Sequence, residues 1–203
     1  MKNNSFAKKK RRKKNQELSW KIIFLTGFFS GILLPNIIWK TKWEQDTFHS
    51  IYFIKTFISK SGSSMEIFQE VVQQRGIFWI FAGLCGFSVF GVLVAVLSLW
   101  YLGFEMGSML TGGILQMGFA GGIVGASFLF PQYFFYVPAL AGGMSAVYEK
   151  SMAIWKNQKT FQGTDTYLKK MLMFGMLYLT GMFLEGFVNP ICMKFFTKIL
   201  DIF

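Results

Sequence analysis

The chain has 203 residues, of which 53% are hydrophobic and only 15% charged, with a formal net charge of +11. Soluble globular domains carry about a quarter charged residues, so this composition excludes that class and points to lipid as the solvent. The positive charge also excludes nucleic acid as a partner, because the cations cluster beside apolar runs and no aromatic platform is interleaved with them.

Residues 1–19 form a basic tail in which Lys8, Lys9, Lys10, Arg11, Arg12, Lys13 and Lys14 make one block. Such a block stays cytoplasmic and attracts anionic headgroups, which makes the lipid bilayer the first expected partner. Residues 20–203 read as an integral membrane domain. Every backbone N–H and C=O must be satisfied within lipid, so apolar runs without strand alternation predict an all-α polytopic protein of about five transmembrane helices.

The first span is predicted from about Lys21 to Trp39, with Trp20 and Trp39 at its interfaces. Lys40 and Lys42 follow without a small-x-small cleavage site, which reads as an uncleaved anchor. The outer loop, 40–76, predicts two amphipathic helices. Phe48, Ile51, Tyr52, Ile54 and Ile58 approximate one stripe. After Ser61-Gly62, Ser63 and Glu66 have capping-box spacing, and Met65, Phe68 and Val72 recur on a second face. These helices lie on the outer leaflet or dock extracytoplasmic partners, with Phe48, Ile51, Tyr52, Phe68 and Val72 as the docking candidates.

Between Arg75 and Glu149 the one charged side chain is Glu105. Three spans are predicted there, about Ile77–Trp100, Phe104–Phe128 and Pro131–Tyr148, and a fifth runs from about Leu172 to Ile191. An inner loop at 149–170 and an extracytoplasmic C-terminus complete the topology. It places fourteen Lys and Arg inside against seven outside, in keeping with the positive-inside rule.

Small residues four apart at Gly27 and Gly31, Gly103 and Gly107, Gly118 and Gly122, and Gly121 and Gly125 predict close helix packing. Pro138 predicts a kink in the fourth span, Pro131 suits a first helical turn, and Pro190 frees the carbonyl of Gly186. Glu105 and Glu185 are intramembrane carboxylates and so functional candidates. Helical rise places Glu105 near the inner end of its span and Glu185 roughly 20 Å from the inner end of the fifth, at different depths and out of contact. Glu185 is expected to be either protonated or bonded to Tyr178, Thr180 or a neighbouring helix, and no intramembrane cation is expected to pair with either carboxylate. There is no G-x-S-x-G, H-E-x-x-H or P-loop, and His49 stands outside any metal-ligand cluster, so no enzyme activity, metal or cofactor is expected.

The order of these features resembles the stage II sporulation protein M family of endospore-forming bacteria. Leu102-Gly103-Phe104-Glu105-Met106-Gly107 is similar to that family's Gly-Phe-x-x-Gly opening of a middle span. Pro131-Gln132-Tyr133-Phe134-Phe135-Tyr136-Val137-Pro138-Ala139 is similar to its Pro-His-Gly-x-x-Glu-x-Pro-Ala stretch, with Gln132, Tyr133 and Tyr136 where many members have His, Gly and Glu. Leu184-Glu185-Gly186-Phe187-Val188-Asn189-Pro190 is similar to the Glu-rich, Pro-terminated last span. The resemblance implies a scaffold in the mother-cell septal or engulfing membrane that recruits the peptidoglycan hydrolases, sporulation proteins D and P, with no small-molecule substrate of its own. The alternative is a permease-like transport subunit in which Glu105, Glu185 and the Pro138 kink line a path for a small solute.

Overall fold

The computed structural model describes residues 2–38, 64–156, 163–192 and 195, with the side chains of 2–18, 38, 116, 117, 124 and 128 left aside. Among the described residues the regular structure is entirely helical. Helix α1 is Lys2–Ile38. Helix α2, Ser64–Val71, runs through a π-helical turn, Val72–Gly76, into α3, Ile77–Cys85. Helix α4 is Gly91–Leu129 and α5 is Tyr133–Trp155. Helix α6, Thr164–Phe183, passes into a second π-helical turn, Leu184–Val188, and continues beyond it.

Among the described residues three helical stretches are long and apolar enough to cross a membrane: Ser19–Ile37, Gly91–Leu115 and Thr164–Cys192. Their outward faces match that solvent. Leu172, Met173, Met176, Leu179 and Phe183 of α6 are exposed, whereas Tyr167, Met171, Tyr178 and Met182 face the core. Gln132, Ser151 and Asn189 are fully buried. Apolar side chains outside and polar groups inside invert the soluble arrangement, as expected where lipid surrounds the protein.

Helices α1 and α4 are parallel and meet through glycines. A Cβ on Gly27 or Gly31 would overlap the carbonyls of Trp100 or Phe104, and one on Gly103 or Gly107 would overlap those of Phe24 or Phe28. Two of the predicted small-residue pairs therefore pack against each other. Their missing side chains let the backbones approach and gain dispersion contacts that lipid does not replace.

Helix α4 contains its own reversal. Gly118 has φ 65° and ψ −146°, outside the helical basin and readily reached only by glycine. Gly121 then lies against Gly113, and Gly125 against Met109 and Leu110, so the arm after Gly118 folds back along the arm before it. Pro131 stands in the turn that follows, between α4 and α5, instead of in a first helical turn. Helix α5 continues through Pro138.

The predicted span Ile77–Trp100 is corrected. The chain turns at Gly86–Phe90, and α4 runs without interruption through the predicted break at Tyr101–Gly103. The turn is held from both sides. Ser151 Oγ donates to the Ser88 carbonyl at 2.5 Å and accepts from Val92 N–H at 3.1 Å, and the Tyr167 hydroxyl donates to the Gly83 carbonyl at 2.6 Å. These bonds satisfy polar backbone that an apolar run alone cannot. The outer loop changes too, since Ser64–Gly76 is continuous with α3 and does not form a separate surface helix.

Candidate functional site

The boundary shift moves Arg75 from a loop to the middle of the α2–α3 rod, eleven residues before the Gly86 turn, or about 16 Å at helical rise. Glu105, predicted near a span end, stands fourteen residues into α4, about 21 Å from its start. The two π-helical turns supply Arg75 and Glu185. A π turn adds a residue to the helical repeat, which re-aims the side chains that follow and is often found at functional positions. At the second turn Pro190 has a cause to contribute, because it lacks an N–H and its ring crowds the Gly186 carbonyl.

Arg75 joins both carboxylates. Its Nε meets Glu185 Oε2 at 2.8 Å and its Nη2 donates to Glu185 Oε1 at 3.1 Å, a two-pronged contact. The same Nη2 reaches Glu105 Oε1 at 3.3 Å. The expectation that Glu105 and Glu185 lie at different depths without a cation is thereby overturned. One guanidinium bridges them, and all three side chains are less than one-fifth exposed.

Aromatic rings enclose the ion cluster. The Tyr136 hydroxyl donates to Glu185 Oε2 at 2.5 Å, and the Arg75 guanidinium carbon lies 4.7 Å from the centre of the Tyr136 ring. Tyr136 packs on Tyr178, which stacks on Trp79, and the Tyr133 ring meets Tyr136 edge-on. The Tyr133 hydroxyl is buried and, among the described residues, has no hydrogen-bond partner. Glu185 thus takes its hydroxyl from Tyr136, not from Tyr178 or Thr180, and the Thr180 hydroxyl donates to the Met176 carbonyl. Excluding water strengthens each electrostatic contact, and it also makes any unpaired charge costly.

One turn beyond the cluster are Gln132, which caps the start of α5, and Asn189 on the continuation of α6. Both are completely buried, and among the described residues neither amide oxygen nor amide nitrogen of either side chain has a hydrogen-bond partner. An unsatisfied buried polar group costs about 1–3 kcal/mol, so four such atoms at one level are a pronounced departure from ordinary packing.

The remaining candidates separate. Gly103 and Gly107 form the α1 contact. Pro190 follows the π turn that carries Glu185, and Pro131 and Pro138 flank the Tyr133 and Tyr136 ring pair. Phe68 is half-buried: its ring packs against Phe183 and Phe187, and a Cβ on Gly186 would meet it. Val72 is half-buried against the core. Phe48, Ile51 and Tyr52 lie outside the described residues. No family model, curated protein or solved structure matches this chain.

Proposed function

We propose that the chain is an integral membrane scaffold that anchors peptidoglycan-degrading enzymes at the septal membrane during endospore engulfment, as its resemblance to stage II sporulation protein M implies. The observation that supports a scaffold is the Arg75 cluster. It ties the α2–α3 rod, α4, α5 and α6 together at one level, and breaking a buried ion pair costs about 3–5 kcal/mol. A bundle braced in this way holds its outer ends at fixed spacing.

In this reading the chain crosses the bilayer five times: along α1, along α2–α3, along the first arm of α4, along the broken path from Gly118 through α5, and along α6. The basic tail is cytoplasmic, as are the Gly86–Phe90 turn and the 157–162 connection, near which Lys150, Lys156, Lys169 and Lys170 gather. The cluster then falls near the bilayer midplane. Segment 39–63 is extracytoplasmic and, with the outer helix ends, offers the docking surface for sporulation proteins D and P. The hydrolytic activity belongs to those partners.

Crosslinking the tagged chain in sporulating cells is expected to recover wall hydrolases, and deleting the gene is expected to arrest septal wall thinning. Normal engulfment together with no hydrolase partner would overturn the scaffold reading. A transport subunit is the second reading, favoured by the orphaned carboxamides of Gln132 and Asn189 at the level of the charge cluster. It predicts solute uptake that collapses in an Asn189→Leu variant while engulfment stays intact.

A further inference from the structure

Two carboxylates share one guanidinium at this site, so with both ionised the triad keeps one negative charge in surroundings that disfavour it. Glu185 is well compensated, by both prongs of Arg75 and the Tyr136 hydroxyl. Glu105 has the longer, single contact at 3.3 Å. Glu105 is therefore the less compensated carboxylate of the two.

Gln132 and Asn189 lie one helical turn from the cluster. Gln132, at the cap of α5, accepts the Tyr136 N–H on its backbone carbonyl at 3.0 Å and so precedes Tyr136 by one turn, and Asn189 follows Glu185 by one turn on the α6 rod. The Tyr136–Glu185 bond registers these two helices. They are antiparallel neighbours, so stepping back along one and forward along the other reaches the same level. There the two carboxamides are fully buried and unpartnered.

We propose that Glu105 and the carboxamide oxygens of Gln132 and Asn189 bind a small monovalent cation of the sodium class. One positive charge neutralises the triad, and the amide oxygens replace part of the ion's hydration shell. The amide nitrogens donate to water that the ion retains. A divalent ion suits the site less well, because its dedicated ligand sets use several carboxylates, and among the described residues no group of three or more His, Cys, Asp or Glu is placed to hold a metal. The inference goes beyond both functional readings, since a bound ion either braces a scaffold or accompanies a solute.

The test uses the purified full-length chain in detergent, melted in sodium chloride and in choline chloride at equal ionic strength. Sodium is expected to raise the melting temperature by about 5 °C through ligand linkage. Gln132→Leu and Asn189→Leu, which remove the orphaned amides without leaving a cavity, are expected to remain folded and to lose that response. Because a variant can fail for other reasons, saturable binding of radiolabelled sodium by the unaltered chain is measured alongside, with one ion per chain expected. Identical melting in both salts with no saturable sodium binding would overturn the proposal. So would stability that follows pH but not sodium, which assigns the balancing charge to a proton. Neither result bears on recovery of wall hydrolases, so the ion site and the scaffold reading fail separately.

Discussion

Arg75 meets Glu185 through two parallel contacts, Nε to Oε2 at 2.8 Å and Nη2 to Oε1 at 3.1 Å, and both residues stand in π-helical turns. The planar fork of arginine fits a carboxylate in this way, whereas lysine offers a single point charge. Replacing Arg75 by methionine leaves two buried carboxylates facing each other and is expected to destabilise the bundle by about 3–5 kcal/mol. Arg75→Lys recovers only part of the loss. In the double variant Arg75→Met/Glu185→Gln the total is expected to fall short of the sum of the single changes by about 1–3 kcal/mol, because the partners no longer strand one another. Denaturant unfolding of the four proteins in detergent measures that coupling, and strict additivity would show that the pair contributes nothing jointly.

Tyr136 acts on the same pair in two ways that substitution separates. Tyr136→Phe keeps the ring over Arg75 and removes the hydroxyl that donates to Glu185. A hydrogen bond to a charged group contributes about 1.5–3 kcal/mol, which is the expected loss. Tyr136→Leu also removes the ring and is expected to cost about 1–2 kcal/mol more through the cation–π contact. Equal losses in the two variants, read from the same unfolding curves, would show that the ring adds only bulk.

Much of the bundle was legible because hydropathy, small-residue spacing and flanking cations report directly on lipid contact. Gly27, Gly31, Gly103 and Gly107 announced close packing, and the structure pairs them. The charge cluster was not legible, and the cause was one misplaced boundary. In a run that is apolar throughout, the turn at Gly86–Phe90 leaves little hydropathy signal, and only Gly86, Ser88 and Gly91 marked it. A span that extends to Trp100 puts Arg75 in the loop and Glu105 at a helix end, which separates residues that touch. Arg75 was the one cation between Lys60 and Lys150, and that isolation was the signal that could have found it. The roles of Tyr136, Gln132 and Asn189 depend on the register of two helices distant in sequence, which local pattern does not carry.

The glycine contact predicts a sharp positional contrast. Gly31→Ala sets a methyl group against the Phe104 carbonyl, so α1 and α4 must separate, with an expected loss of about 1–3 kcal/mol from overpacking. Gly76→Ala meets only the Val72 side chain at 3.9 Å, an ordinary contact, and alanine favours the helix. Its stability is expected to be unchanged or slightly higher. Paired melting curves decide the matter, and equal effects at Gly31 and Gly76 would refute the close α1–α4 approach.

The Gly86–Phe90 turn can be tested in the membrane itself. Phe90 is 71% exposed at the end of the turn, whereas Leu97, 53% exposed two turns into α4, faces the surroundings of the bundle, which in the membrane are lipid. With Cys85 and Cys192 replaced by alanine, Phe90→Cys is expected to react with a membrane-impermeant maleimide in inside-out vesicles but not in intact cells. Leu97→Cys is expected to be unreactive in both, because a thiol in lipid is neither hydrated nor ionised. A single span from Ile77 to Trp100 would instead bury position 90 in the bilayer and protect both thiols equally. Labelling at position 90 from outside intact cells would reverse the orientation and place the basic block on the outer side, against the charge asymmetry that sets membrane topology.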